Sequence, residues 1–227
     1  MSTTTVDLHS DHHGHHDTTL QHHFATKEQQ FDTSKLGMWL FLATEIMLFG
    51  VLFVGFGLSQ GKWPEEFKEA HHHLQRPLGA LNTIVLLISS WTMVMGVLSA
   101  KKGKKQALTM YLVLTIVCAC IFLGVKYFEY SHKIEEGLLP GKWYSYHETL
   151  PEHMKGASVF FSFYFMMTGL HGFHIFCGVV VLAWIAFRAN KGEFGPNYYT
   201  PVDLVGLYWH LVDLIWIYLF PLLYLIQ

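Results

Sequence analysis

Charged side chains are scarce in this sequence: Asp, Glu, Lys and Arg together make up 14% of its 227 residues. An average soluble domain carries roughly 25% charged residues. Hydrophobic residues reach 52%, so little of the molecular surface is suited to water. The formal net charge of −2 also lacks the positive excess typical of proteins that bind nucleic acid. The composition therefore favours a membrane protein and gives no basis for a nucleic-acid partner.

Cysteine is also rare. The three cysteines, Cys118, Cys120 and Cys177, all fall inside long apolar stretches. A thiol in such a place packs like a small apolar side chain, and the spacing matches neither a disulfide framework nor a CxxC metal motif. Residues 1–34 contain no apolar core, so no signal peptide is predicted.

Long apolar runs are what the sequence has in abundance. A helix needs roughly 20 apolar residues to cross the hydrocarbon core of a bilayer. Five stretches are near or beyond that length, at about residues 36–58, 78–100, 107–130, 157–187 and 203–226. The sequence therefore predicts an all-α fold, an integral membrane bundle of five transmembrane helices over residues 35–227. A soluble helical bundle is disfavoured, because runs this long contain too few charges.

Lysines in the connections predict how the bundle sits in the membrane, since short cytoplasmic loops are rich in Lys and Arg. The short second connection contains Lys101, Lys102, Lys104 and Lys105. The long connection at 131–155 dilutes its three lysines with four glutamates. We therefore predict a cytoplasmic N-terminus and a C-terminus on the outer, periplasmic side.

The segment 1–34 is polar and rich in histidine, and we predict a disordered cytoplasmic tail. Its histidines are His9, His12, His13, His15, His16, His22 and His23. Histidine-rich tracts bind transition metals weakly. A solvated tail without a dedicated metal site is the favoured interpretation.

Ionisable residues inside the predicted helices are the informative ones, because each is costly at bilayer depth. Glu45 lies among apolar residues of the first helix, so we expect it to be protonated or paired. Lys126 and Glu129 are three residues apart at the end of the third helix, where they predict an intrahelical pair near the interface. A proton-relay role for this pair is the less favoured alternative.

Two histidine motifs follow. His171 and His174 lie three apart in the fourth helix, on nearly the same face. They are either structural histidines, close to the helix contacts that Gly169, Gly172 and Gly178 permit, or two ligands of a metal or heme, which would want further ligands. His210 and Asp213 repeat the spacing in the fifth helix. This repeat indicates an imidazole oriented by the aspartate, or a packing pair.

Five segments together resemble subunit III of the heme–copper terminal oxidases. They are residues 39–49 (WLFLATEIMLF), 81–93 (LNTIVLLISSWTM), 122–130 (FLGVKYFEY), 165–174 (FMMTGLHGFH) and 208–216 (YWHLVDLIW). They occur in the family's order and span about residues 35–224. The absence of two N-terminal helices resembles the five-helix bacterial members of the family, and Asp203 stands where longer members carry an acidic residue.

The resemblance implies a non-catalytic subunit of a proton-pumping oxidase in the bacterial inner membrane. Such a subunit flanks subunit I in a complex that also holds subunit II, binds phospholipid and contains no heme, copper or other metal. It keeps proton uptake into subunit I fast and protects the catalytic centre during turnover. Glu45, Lys126, Glu129, His171, His174, His210 and Asp213 are then buried polar residues at helix, lipid or subunit interfaces.

Two alternatives stay open. One is the homologous accessory subunit of a nitric oxide reductase. The other is a free-standing transporter or heme-binding membrane protein that uses His171, His174, His210 and Asp213 directly.

Overall fold

The described part of the chain folds into six helices. We describe it from a computed structural model that covers residues 24–72, 74–135, 137–139 and 155–225. Within these ranges the helices are α1 (Lys27–Lys62), α2 (Pro64–His71), α3 (Arg76–Lys101), α4 (Lys105–Glu135), α5 (Lys155–Lys191) and α6 (Thr200–Tyr224). All except α2 are long and apolar enough to span a membrane. The predicted all-helical, five-span membrane bundle is confirmed, whereas the orientation of its termini stays a prediction.

The first helix starts earlier than the apolar pattern predicts. Thr26 caps α1 by accepting a hydrogen bond from the Gln29 amide, 3.1 Å away, and Glu28 lies in the first turn, where a negative charge favours the helix dipole. Residues 27–34 are therefore helical rather than part of the predicted disordered tail. An apolar-run criterion misses them because they are polar. Residues 1–23, which hold the tail histidines, lie outside the described residues.

The short helix α2 occupies a segment that sequence reasoning leaves as a loop. Pro64 occupies the start of the helix, where its missing N–H costs nothing, and the first turn is acidic. Phe67 is fully buried and packs edge-on against Phe56 of α1 and Phe160 of α5, with ring centroids 5.2 and 5.4 Å away. Eight residues are too few to give an apolar run, which is why the pattern does not reveal this helix.

Helices α3 to α6 form a closed four-helix bundle, in which α3 packs on α4, α4 on α5, α5 on α6, and α6 back on α3. Helix α1 packs on the outside, against α5 and α6. Only 17% of its span is buried, against 33–44% for the other four spans. Helix α1 is therefore the peripheral member, and most of its apolar surface faces outwards.

A tight turn joins α3 to α4 and fixes one end of the bundle. Gly103 has a φ of 67°, a left-handed conformation that glycine adopts without steric cost. The amide of Lys104 then donates to the Ser99 carbonyl at 2.9 Å, which closes the end of α3. The turn gathers Lys101, Lys102, Lys104 and Lys105 at this end, which we call the basic end.

Candidate functional site

Glu45 and His174 link the peripheral helix α1 to α5. Glu45 Oε2 lies 2.8 Å from His174 Nε2, and the side chains are only 15% and 13% exposed. The other ring nitrogen, Nδ1, lies 2.8 Å from the Leu170 carbonyl oxygen. The Tyr208 hydroxyl donates to the His174 carbonyl at 2.9 Å, which adds α6 to the junction. Three helices therefore meet at this pair.

Hydrogen-bond chemistry fixes how many protons this pair holds. The Leu170 carbonyl can only accept, so Nδ1 of His174 carries a hydrogen. The contact between Nε2 and the Glu45 carboxyl then needs one more proton, on either the carboxyl or the ring. In both cases the net charge of the pair is zero. This neutrality explains how a glutamate is accommodated in the middle of a membrane-spanning helix.

A second polar cluster joins α4 to α6. Lys126 Nζ donates to Glu129 Oε2 and to the Tyr224 hydroxyl, both at 2.8 Å. The Tyr224 hydroxyl in turn donates to Glu129 Oε1 at 2.5 Å. The intrahelical pair forms as the spacing suggests and is buried inside the bundle, whereas its position near the membrane interface stays a prediction. Tyr224 explains this burial, since its hydroxyl bonds both charged partners.

His171 and His174 point to different neighbours. The His171 ring is buried and stacks on Trp216 of α6 with centroids 5.2 Å apart, while Phe122 of α4 meets it edge-on at 5.4 Å. His174 instead faces Glu45 of α1. Residues three apart on a helix are about 60° apart around its axis, which is enough to aim them at different helices. The two imidazoles therefore do not converge on a common ligand position.

His210 and Asp213 also have different surroundings. His210 Nδ1 lies 2.8 Å from the Ser90 hydroxyl of α3, while both Asp213 oxygens are buried without a hydrogen-bond partner in the described part of the chain. Asp213 therefore makes no direct hydrogen bond to this imidazole in the structure. Ser90 is its partner instead, because α3 packs directly against α6.

Sequence reasoning missed the small polar residues of α3. Asn82, Ser89 and Thr92 are fully buried. Ser89 accepts a hydrogen bond from the Trp209 indole at 2.8 Å, and Thr92 bonds Thr115 of α4 at the same distance. The spacing of seven residues between Asn82 and Ser89 repeats two helical turns, which is the signal that could have placed them on one face.

The candidate ligands do not assemble into a metal centre. Across residues 24–72, 74–135, 137–139 and 155–225, no group of three or more His, Cys, Asp or Glu side chains is arranged to hold a metal ion. The site is therefore a set of paired or buried polar groups that connect helices.

Two of the grooves on the described part of the chain border helix α6. The larger, about 330 Å³, runs between α1 and α6 and is apolar, with Ile46, Phe53, Leu214 and Tyr218 in its wall. The smaller, about 180 Å³, lies between α3 and α6 towards the basic end, where Lys101, Asp203 and His210 line it. The second groove is also mainly apolar, but it places the His210 side chain in the same space as Lys101 and Asp203.

The sequence matches a known family over almost its whole length. A family model described as cytochrome c oxidase subunit III matches residues 10–227. The chain belongs to the cytochrome c oxidase subunit III family. This membership confirms the resemblance seen in the five sequence segments.

Individual relatives within the subunit III family carry two kinds of name. Cytochrome c oxidase subunit 3 of Corynebacterium diphtheriae is 33% identical over 85% of this chain and 87% of its own length. Cytochrome bo(3) ubiquinol oxidase subunit 3 of Pseudomonas putida is 29% identical over 84% of each chain. Quinol oxidase subunit 3 of Bacillus spizizenii is 29% identical over 88% of this chain and 92% of its own. The family thus spans cytochrome c and quinol oxidases.

Proposed function

We propose that this chain is the non-catalytic subunit III of a bacterial heme–copper respiratory oxidase, which reduces O2 to water and pumps protons. It lies in the inner membrane against subunit I, in a complex that also contains subunit II. The observation that carries this proposal is the family match over residues 10–227. The five membrane-spanning helices agree with it.

The arrangement of the histidines supports a chain without its own redox centre. The imidazole of His174 is engaged by Glu45 and Leu170, and that of His210 is engaged by Ser90. The His171 ring is enclosed by Trp216 and Phe122. Heme and copper then belong to the partner subunits, and electrons do not pass through this chain. This geometry disfavours the alternative of a free-standing heme-binding protein.

The apolar groove between α1 and α6 supports a bound phospholipid. Its wall is formed by aliphatic and aromatic side chains, and it lies along the contact between the peripheral helix and the bundle. An acyl chain in this groove would fill the space between helices that otherwise make few contacts. Bound lipid and subunit III together would form the surface that contacts subunit I.

The role we propose is to keep proton uptake by subunit I fast and to extend the lifetime of its catalytic centre. A neighbouring subunit alters water access, local charge and lipid packing without touching the metals. Slow proton delivery would prolong reactive oxygen intermediates, and these would inactivate the centre. The subunit therefore increases the number of turnovers that the oxidase completes before it is inactivated.

Removal of the subunit tests this role. Oxidase purified without this chain should keep its heme spectrum and its initial O2 consumption, but lose activity within far fewer turnovers than the intact complex. Re-addition of the chain should restore the lifetime. Loss of a heme band, or of the first turnover, would contradict the proposal. A co-purified core that reduces nitric oxide rather than O2 would instead identify the reductase alternative.

A further inference from the structure

Asp213 is a buried carboxyl group in the centre of the four-helix bundle. Its exposure is 3%, and neither oxygen has a hydrogen-bond partner among the residues that the structure describes. Ser90 of α3 is close enough to interact with the carboxyl as a donor but falls short of hydrogen-bond geometry, and Cys118 of α4 lies near it. An ionised carboxylate in this environment would be strongly destabilised, because it has lost its water and gained no well-placed donor. The carboxyl is therefore most stable with a proton bound.

A route connects Asp213 to the surface. His210 lines the groove of about 180 Å³ that also contains Lys101 and Asp203 at the basic end. Asp203 and His210 are seven residues apart, or about 10 Å along α6. The wall of this groove is mainly apolar, and Lys101, Asp203 and His210 are its polar groups. A space of this size has room for several water molecules, which would connect the imidazole to the basic end.

Ser90 bridges the imidazole and the carboxyl. Its hydroxyl oxygen lies 2.8 Å from His210 Nδ1, and the same residue lies next to Asp213. A hydroxyl group can accept one proton while it donates another. When the hydroxyl also donates to the carboxyl, the imidazole, the serine and the carboxyl form one hydrogen-bonded chain.

We propose that Asp213 is an internal proton-binding site that exchanges protons with the basic end of the bundle through Ser90 and His210. Water in the groove protonates His210 at Nε2. Nδ1 then gives its proton to the Ser90 hydroxyl as Ser90 passes its own proton to the Asp213 carboxylate. His210 is left neutral, the serine hydroxyl is restored and Asp213 becomes a carboxylic acid. Release follows the same steps in reverse.

The site stores a proton rather than conducting it across the membrane. Trp209 and Trp216, both fully buried, lie one turn before and one turn after Asp213 on the same helix. Their indole N–H groups donate to Ser89 and Thr83 of α3. These rings fill the bundle on both sides of the carboxyl and leave the His210 side as its access. The inference concerns this chain alone and does not depend on the role proposed for the whole complex.

Infrared spectroscopy of the purified oxidase complex tests the proton site. Protonated Asp213 should give a carboxylic C=O band above the amide I region, and the band should shift in D2O. Asp213→Asn should delete this band. Asp213→Glu keeps a carboxyl group at this position and should shift the frequency of the band. This shift assigns the band to residue 213 even if the asparagine variant fails to assemble. Glu45→Gln, which removes a different carboxyl group within a membrane-spanning helix, should leave the Asp213 band in place.

The exchange rate tests the route. Ser90→Ala and His210→Phe should retain the band but slow its shift in D2O by at least tenfold. Ser89→Ala is the matched control, since the adjacent serine bonds Trp209 and should leave the rate unchanged. Absence of any band sensitive to Asp213 would overturn the bound proton. Equal exchange rates in Ser90→Ala and Ser89→Ala would overturn the route.

Discussion

Gly178 of α5 lies so close to Trp209 of α6 that a β-carbon at position 178 would stand 2.7 Å from Cζ3 of the indole ring. The ring cannot swing away freely, because its N–H donates to Ser89 of α3. This contact therefore fixes the spacing of α5 and α6. Gly169 and Gly172 are different: the first is in ordinary contact with the Tyr130 hydroxyl, and the second has nothing within 4 Å.

Substitution by alanine should distinguish Gly178, whose lack of a side chain allows the close contact with Trp209, from Gly172, which has no neighbour within 4 Å. Gly178→Ala should lower the free energy of unfolding by about 1–3 kcal/mol, the usual cost of overpacking. Gly172→Ala should be neutral or stabilising by up to about 1 kcal/mol, because alanine is the better helix former. Thermal unfolding of the purified complex in detergent measures both changes. Equal midpoints for the two variants would mean that α5 and α6 can move apart at no cost.

The Lys126–Glu129–Tyr224 cluster predicts a non-additive response. Lys126→Met leaves the Glu129 carboxylate buried without its cation, so stability should fall by about 3–5 kcal/mol. Lys126→Met combined with Glu129→Leu removes both charges and should recover most of that loss. The same thermal measurement applies, with exposed Lys102→Met as the control. A double variant less stable than the single one would show that Glu129 stabilises the fold even without Lys126, through its bond to Tyr224.

Glu45 predicts a response that depends on the kind of side chain introduced. Glu45→Gln should preserve assembly, since its amide can donate to Nε2 of neutral His174. Glu45→Lys should reduce the amount of this chain in the purified complex, because it places an ammonium group against the imidazole at bilayer depth. Glu28→Lys, at the exposed start of the same helix, loses only a favourable charge at the helix N-terminus and should leave the amount of this chain in the complex unchanged. Full assembly of Glu45→Lys would show that position 45 has access to water.

Local information predicts much of this fold. The five spans follow from apolar runs, whose lengths are set by bilayer thickness. The Lys126–Glu129 pair follows from helical spacing, since residues three apart are neighbours on a helix surface. Both features depend on residues that are close in the chain, so the sequence displays them directly.

Side-chain pairs that join different helices cannot be predicted from local sequence. Glu45 and His174 are 129 residues apart, and Ser90 and His210 are 120 apart. The helical pattern shows that each residue lies on a helix, but only the packing of α1, α3, α5 and α6 decides which face meets which. The spacing of His210 and Asp213 suggests a hydrogen bond between these two residues, whereas in the structure the imidazole of His210 bonds Ser90 of α3.

The surroundings of His71, at the end of the bundle opposite the basic end, predict that the stability of the fold depends on pH. Its Nδ1 donates to the Lys68 carbonyl at 2.5 Å, and its Nε2 accepts from Arg76 Nη2 at 2.8 Å. Burial lowers the pKa of the His71 imidazole from its ordinary value of 6.5. The stability that neutral His71 contributes should therefore be complete above pH 6.5 and be lost as the pH falls through the lowered pKa. Thermal midpoints measured from neutral to acid pH follow this loss.

The neighbouring histidine provides the control for that titration. His71→Gln should flatten this part of the pH profile, because the residue that must take up a proton is gone. His72→Gln should keep the loss of stability but move it to slightly higher pH, because the exposed His72 ring lies 4.3 Å from that of His71 and its positive charge lowers the His71 pKa. An unchanged profile in His71→Gln would assign the pH dependence to another group.

The two ends of α4 should lie on opposite sides of the membrane. Lys102 belongs to the basic end and Glu135 is at the other end of α4, and both side chains are exposed. Because short lysine-rich loops remain cytoplasmic, a membrane-impermeant thiol reagent added to intact cells should label Glu135→Cys but not Lys102→Cys. Permeabilised cells should label both. The unsubstituted chain sets the background, since its three cysteines lie within the spans. Labelling of Lys102→Cys from outside intact cells would reverse the predicted orientation and would place the Asp213 inlet on the outer face.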